Sequence, residues 1–588
     1  MKNYIYKILV AIVLVTLVPS CDEYLIETNP NEVSEDSFWK NLIDTDKGLT
    51  AVYGSMLNQK IYAVIAEAWR SDMAFPNQRN KPTTNVFYKQ LFNNNSREIN
   101  DRWTAIYQII WRANQVIDGL NSLDAETKQR EEWVNQMGQA RFFRGLGHFY
   151  AHSVYNNGSI IIRDKIPANA SEIQIALSSP EDVRAFFRAD FEYAYKNLPA
   201  QFEQKARVDA GVAATMLGTS YLYEGKYAEA KVYFEDVLTN PAYGYELVQN
   251  TELMFTSAGD FNSESIFELN YGFLQVEDSN FDEESFFTIL ARNTAASGRG
   301  GGTGSHTVPS AWLTEAYASE ALDAQDSRNY VDNGVGGVKL RNVSLRASAM
   351  IALVNDEDTP FYLQPSVPLA ADFGLKFSFF KHFSNHDIIS EEALLADTSL
   401  KSPKNFLLNR LGHVYLMQAE CLLKTGDLNG AIGLINTIRA RWGLRLLGLE
   451  DGSNHDFDGV IYTEETLMER LMYIEKPLET SIEGFSIRNI DMQRWGIAKA
   501  RFEDLAATNY YLINYEYKGI DGEPVVAKNS RIVKNTNLEE SNYTLIDMEY
   551  NQAAQFYDAK LHAFLPLPSI EVLNNNQVLS NLNENDEK

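Results

Sequence analysis

Residues 212–241 read VAATMLGTSYLYEGKYAEAKVYFEDVLTNP, and this stretch decides the scaffold. It predicts two amphipathic helices joined by a tight turn. Leu217, Tyr221 and Leu222 share one face of the first helix. Ala230, Tyr233, Phe234 and Val237 recur at three- and four-residue spacing on the second. Gly218 and Ala230 are small where the two helices would approach closely. Gly225 is placed to end the first helix, and Asn240-Pro241 to stop the second. Such a pair cannot bury its apolar face alone, so further helices should flank it. The stretch carries a scaffold and no chemistry.

Leu217, Gly218, Tyr221, Ala230 and Phe234 fall at the offsets of a tetratricopeptide unit, which the stretch resembles. Val414–Thr425 and Leu428–Trp442, around Gly426-Asp427, form a degenerate second repeat. There Ala419, Ala431 and Ile435 echo the first spacing. The expected fold is mainly α, built on tetratricopeptide-like helical pairs with an irregular, loop-rich elaboration.

Composition narrows the function. Net charge is −27, from 52 Lys+Arg against 79 Asp+Glu, and an acidic surface disfavours nucleic acid, whose phosphates need a basic face. Only Cys21 and Cys421 occur, so no disulfide framework exists. The N-terminus reads as a targeting segment. Lys2 and Lys7 precede an apolar run, Ile8–Val18, that is too short to span a bilayer but suits a signal peptide. Val18-Pro19-Ser20-Cys21 resembles a bacterial lipobox, although Pro19 is unusual in one. This makes Cys21 the lipidation site, anchoring the chain to a membrane without crossing it; ordinary secretion is the alternative. Asp22-Glu23 resembles the export signal of surface lipoproteins in Bacteroidetes-type bacteria.

Four regions follow from the pattern: a signal peptide over 1–20, a helical region with the first hairpin over 21–242, an irregular elaboration over 243–404, and a second helical region over 405–588. Within the first, helices are expected over Asp44–Leu57, Trp103–Leu120, Trp133–Tyr155 and from Pro180 to Leu198. Trp103, Tyr107, Ile110, Trp111 and Ile117 are read as one apolar stripe. A polar loop is expected from Arg70 to Asn95. In the elaboration, Ser297–Ser305 is glycine-rich but lacks the Gly-Lys-Ser/Thr of a phosphate loop. Thr463 is placed to cap a helix over Glu464–Ile474.

Several separated segments resemble the SusD/RagB family of outer-membrane nutrient-binding lipoproteins. They are Cys21-Asp22-Glu23-Tyr24-Leu25, Ser37-Phe38-Trp39-Lys40, and Trp103-x-x-x-Tyr107 with Asn114. Tyr415-Leu416-Met417-Gln418-Ala419-Glu420 and Asn436-x-x-Arg439-x-Arg441 are the strongest. Arg494-Trp495-Gly496 and Leu565-Pro566-Leu567-Pro568 with Glu571 complete the series. The segments run in family order over almost the entire chain. Lys476-Pro477 departs from the family pattern. The resemblance implies helical pairs as a base, an irregular face that holds a glycan ligand, and a SusC-like TonB-dependent transporter as partner with this chain as its lid in the outer membrane; no enzyme activity and no cofactor are expected. A peptide ligand, as in the RagB branch, and a helical-repeat protein adaptor are the alternatives.

Sugar recognition needs aromatic faces for CH surfaces and fixed polar groups for hydroxyls. Two loop regions offer them: Trp69, Arg70, Asp72, Phe75 and Arg79 in the first, Tyr271, Arg299, His306 and Trp312 in the second. Loops on a rigid scaffold commonly carry binding residues. His148 and His152 lie four apart, as do His382 and His386, but without a third metal ligand they read as packed histidines. Asn454, Asp456 and Asp458, with Glu465 beyond, have the spacing of a calcium loop, though no entering helix precedes them and Glu465 also suits the first turn after Thr463. Carboxylates are too plentiful for counting to exclude a glycosidase pair. No nucleophile elbow occurs, and Cys421 sits in an apolar helix.

Overall fold

The 212–241 stretch folds as two helices, Ala210–Tyr223 and Tyr227–Thr239. Asp209 caps the first by accepting from the Val212 N–H at 3.0 Å. Gly225, at φ +78°, ends it. Its N–H donates to the Leu222 carbonyl, and the Lys226 N–H reaches back to Tyr221, which satisfies the last carbonyls of the helix. A Cβ on Gly218 would lie 2.6 Å from the Phe234 ring, so the pair can close only because that position is glycine. One expectation changes. The first helix is not amphipathic but buried from Ala210 to Ser220, because helices cover it on several sides.

The protein is described by a computed structural model over residues 38–76, 83–272, 307–365, 378–384, 386–387 and 403–579, apart from 520, 536, 547 and 548. Helices dominate. Arg97–Ser122, Glu131–Val154, Pro180–Asn197, Ala210–Tyr223, Tyr227–Thr239, Leu411–Lys424 and Leu428–Arg441 form an array in which each packs on the next. The two hairpins, far apart in sequence, therefore abut: Tyr227–Thr239 lies against Leu411–Lys424, with the Gln418 side chain donating to the Lys231 carbonyl at 3.3 Å. Residues 243–404 are inserted between these neighbours. The insertion begins and ends side by side, because strand Ser265–Leu269 pairs antiparallel with Phe406–Arg410 immediately before the second hairpin.

Trp111 leaves the expected stripe and is 45 % exposed. The stripe runs through Ile99, Trp103, Ile106, Ile110, Ala113 and Ile117, and Trp111 lies about 100° round the helix from Ile110. The helix expected over Glu464–Ile474 is α-helical only to Arg470. A wider π turn, Leu471–Glu475, follows before Lys476–Thr480. Pro477 has no N–H to donate one turn back, and the widened turn accommodates it. It also aims Glu475 and Glu479 at a buried arginine cluster. Arg410 reaches Glu264 at 3.0 Å, Glu479 at 2.6 Å and Glu483 at 2.7 Å, while Arg441 reaches Glu264 at 2.7 Å and Glu479 at 2.5 Å. This cluster ties the neck of the insertion to the C-terminal helices.

The segments that run in family order also meet in space. Glu420 accepts from Arg494 at 2.5 Å and from the Trp495 indole at 2.9 Å. The Trp103 indole donates to Glu571 at 3.2 Å. Leu565 bridges to Tyr155, its N–H donating to the Val154 carbonyl at 2.7 Å. These residues join helices to one another, which is structural work. Cys421 is fully buried, and burial pushes its thiol up to about 12.

A three-stranded antiparallel sheet, Tyr510–Lys518 flanked by Pro524–Val533 and Tyr543–Ile546, has no counterpart among the sequence-based expectations. Its signal was available: YYLINYEYK is rich in aromatic and β-branched residues.

Candidate functional site

A two-residue β pairing joins the two loop regions that the sequence singled out. Ala74 faces Pro309 and Phe75 faces Val308. The Ser310 N–H extends the junction by donating to the Met73 carbonyl at 2.9 Å. Its hydroxyl donates to the Asp72 carbonyl at 2.8 Å, and the Trp312 indole N–H donates to the same oxygen. Trp312 opens the helix Ala311–Ala318, whose first N–H donates to the Glu549 carboxylate at 2.7 Å. Residues 72–76 and 307–312 are thus pinned together on the helical scaffold.

Asp72 is the fastening beneath this junction. Its carboxylate accepts two hydrogen bonds from Arg488, each 2.7 Å, and one from Arg501 Nε at 2.9 Å. Burial alone would raise its pKa, but the Arg488 and Arg501 guanidiniums outweigh that and hold it at about 2. Arg501 also lies over the Trp312 ring, 4.3 Å from its centroid. One arginine therefore grips the carboxylate and supports the indole together.

Trp312 forms a wall of a cleft of about 180 Å³ whose other walls include Tyr510, Ile546 and Tyr550. Thr508, Asn509, Glu549 and Asn551 supply polar groups around it. Aromatic packing continues behind Tyr550: its ring stacks on Phe502 with centroids 5.9 Å apart, and Tyr88 connects it to Phe75. Charges of both signs surround the cleft. The Tyr510 hydroxyl is driven well above its ordinary value by burial; Arg501 opposes the rise, and Glu315, Glu549 and Asp504 add to it.

The residues expected to touch ligand have several fates. Arg70, Asp72, Phe75 and Tyr271 are turned inward, which corrects their reading as ligand contacts on a loop. Arg70 ends the helix Val64–Arg70, where it pairs with Glu67 at 2.9 Å and donates to the Ala563 carbonyl at 3.1 Å. Phe75 is completely buried edge-on to Tyr88. Tyr271 is 5 % exposed, and its backbone N–H is held by Asn405 at 2.8 Å. Trp69 is half-buried, its indole N–H without an acceptor among the described residues. Trp312 is mostly buried yet lines the cleft. Arg79, Arg299 and His306, like Cys21, lie outside the described residues; 77–82 and 273–306 run directly into the junction. Tyr510, Tyr550, Asn509 and Glu549 were missed, because no motif marks a cleft assembled from a sheet and a distant helix.

The spacing that suggested calcium does not produce a cage. Asp456 accepts from the Ala324 N–H at 2.8 Å, and Asp458 accepts from the Gly448 N–H at 2.9 Å and from the Tyr462 hydroxyl at 2.6 Å. Glu465 stands exposed in the first turn after Thr463, whose capping box with Thr466 is formed, and Asn454 is exposed in the preceding loop. Among the described residues, no group of three or more His, Cys, Asp or Glu is placed to hold a metal. His148 Nδ1 meets the Arg144 carbonyl at 2.8 Å and its Nε2 accepts from the Arg163 N–H at 3.0 Å, so the ring serves packing. Burial lowers both His148 and His152 to about 4.

Two family models match the chain. One, described as the SusD family, covers residues 381–585; the other, described as starch-binding associating with outer membrane, covers 23–222. SusD-like protein P25 of Formosa agariphila is 22 % identical over 531 residues, spanning 85 % of this chain and 92 % of the relative. A SusD superfamily protein from Bacteroides vulgatus superposes with a TM-score of 0.67 at 21 % identity, over 92 % of this chain and 98 % of that one. A laminarin-binding SusD-like protein superposes with a TM-score of 0.60 at 19 % identity, over 92 % and 98 %. No helix among the described residues is long and apolar enough to cross a membrane.

Proposed function

The chain belongs to the SusD/RagB family, a family of carbohydrate-binding proteins, and from that premise we propose that it is a cell-surface lipoprotein that captures glycan and delivers it to a SusC-like TonB-dependent transporter. The observation that carries the ligand reading is the cleft beside the 72–76/307–312 junction. It sets the aromatic walls Trp312, Tyr510 and Tyr550 among hydroxyl, carboxamide and carboxylate groups. Aromatic faces take the CH surface of a sugar ring, and short polar groups take its hydroxyls. At about 180 Å³ the cleft is smaller than the ~300–1,000 Å³ typical of enclosing pockets, which suits one ring or a chain end. A laminarin binder among the solved structures of similar fold supports glycan as the ligand class.

The mechanism is binding and release without covalent change. Among the described residues, the cleft lining includes one carboxylate, Glu549, where a glycosidase would present two. The lipidated Cys21 tethers the chain to the outer membrane, and the helical array is the rigid part on which it moves as a lid over the transporter. Affinity electrophoresis against a panel of polysaccharides tests the ligand reading: retardation by at least one is expected, and none would refute it. Peptides co-purifying with the protein would favour the RagB-like alternative. Cys21→Ser should shift the protein from membrane to soluble fractions, and a TonB-dependent barrel should co-purify with the anchored form.

A further inference from the structure

The charges around the cleft carry the reading further, to the class of glycan. Among the described residues that line it, none is Lys, Arg or His, and Glu549 is the one charged group. At Tyr510 the largest charge effect is that of Arg501, opposed by Glu315, Glu549 and Asp504. The cations nearby face acidic partners, Lys534 acting on Glu315. Arg488 gives two hydrogen bonds to Asp72 and a third to the Met472 carbonyl, and Arg501 divides itself between Asp72 at 2.9 Å and Asp504 at 3.5 Å. Lys499 pairs with Glu503 at 3.4 Å and donates to the Ala554 carbonyl.

A uronate or sulfate ester entering this cleft would lose hydration and meet the Glu549 carboxylate, while the Arg501 guanidinium behind the Trp312 wall is held by Asp72. Anion recognition ordinarily relies on arginine, with its forked donors, or on lysine. A neutral sugar meets no such opposition, since its hydroxyls can donate to Glu549 and accept from Asn509. We propose that the cleft selects uncharged hexose units and rejects uronates and sulfate esters. The inference rests on the glycan-binding reading above and narrows it.

The test uses the full mature chain and pairs of probes that share a backbone: laminarin oligosaccharides against their sulfated derivatives, and neutral mannan oligosaccharides against mannuronate oligosaccharides, by calorimetric titration. The expected result is that a neutral member binds and its charged counterpart binds at least about tenfold more weakly at low salt. That gap should narrow as salt screens the carboxylates over ~8–10 Å. The triple variant Glu315→Gln/Asp504→Asn/Glu549→Gln should close the gap by strengthening the charged probe. A separate variant, Glu126→Gln, in the exposed turn between the helices Arg97–Ser122 and Glu131–Val154, should leave it unchanged. Equal or tighter binding of the charged member would overturn the selection while leaving glycan binding intact. Binding of neither class, with polysaccharide gels also showing no retardation, would overturn both readings.

Discussion

Asp72→Asn isolates the fastening under the site with almost no change of shape. The wild-type carboxylate accepts from Arg488 twice and from Arg501 once, and is completely buried. An amide removes the charge and turns one acceptor into a donor, so at least one guanidinium N–H must face an N–H. Two routes give the cost. The carboxyl is held at about 2 against an ordinary 3.8, and a difference of about 1.8 corresponds to about 2.4 kcal/mol at neutral pH. Breaking one side of a buried ion pair costs about 3–5 kcal/mol, because the remaining charges stay buried. The expected loss is therefore about 2.4–5 kcal/mol. The assay is urea unfolding followed by tryptophan fluorescence, comparing midpoints at unchanged slope. The pH dependence sharpens it. A depressed carboxylate contributes its stability above its unfolded-state value and loses it as pH falls through about 2. Wild type and variant should therefore differ fully at pH 7 and converge from about pH 4 downward. A difference below about 1 kcal/mol at pH 7, or one that persists unchanged at pH 2, would refute the assignment of Asp72 as the charge that holds Arg488 and Arg501.

Glu479→Gln should destabilise by about 3–5 kcal/mol in the same assay, because Arg410 and Arg441 share one of its oxygens and the Trp442 indole uses the other, at 2.6, 2.5 and 2.7 Å. Gly218→Ala should cost about 1–3 kcal/mol by driving a methyl into Phe234, and Phe234→Leu should relieve part of that cost in a double-mutant cycle. Tyr510→Ala should weaken glycan retention about tenfold, the loss of one aromatic wall, with a midpoint shift small enough that the protein remains folded in the gel. Cys421 should resist a thiol reagent at pH 8 until urea unfolds the chain, measured in a Cys21→Ser background, since the thiol is buried and held at about 12.

Helix pairs were legible because their cause is local. Gly225, Gly426, Pro180 and the cap Thr463 act within one turn, and three- or four-residue periodicity needs only the helix itself. Trp111 shows where that reading slips: an aromatic beside the stripe looks like a member of it until the packing partner is known. Charged residues in loops misled more seriously. Arg70 and Asp72 looked like ligand contacts because they are polar and follow a hydrophobic run, yet their partners, Glu67, Arg488 and Arg501, include two more than 400 residues away. Asp456 and Asp458 matched a metal spacing but spend their oxygens on backbone N–H groups and a tyrosine hydroxyl.

By itself, the sequence determined the helical-pair scaffold, the order of the family segments and the two loop regions worth attention, all properties of neighbours along the chain. The tertiary structure alone decided that the two hairpins abut, that 74–75 pairs with 308–309, and that Trp312 shares a cleft with Tyr510 and Tyr550. The physical reason is that a buried ion pair or a two-residue β bridge between distant segments leaves no periodicity in either one. Asp72, the residue that holds the junction, reads in sequence as one more acid in an acidic chain; only the arrival of Arg488 and Arg501 makes it the point on which the site is built.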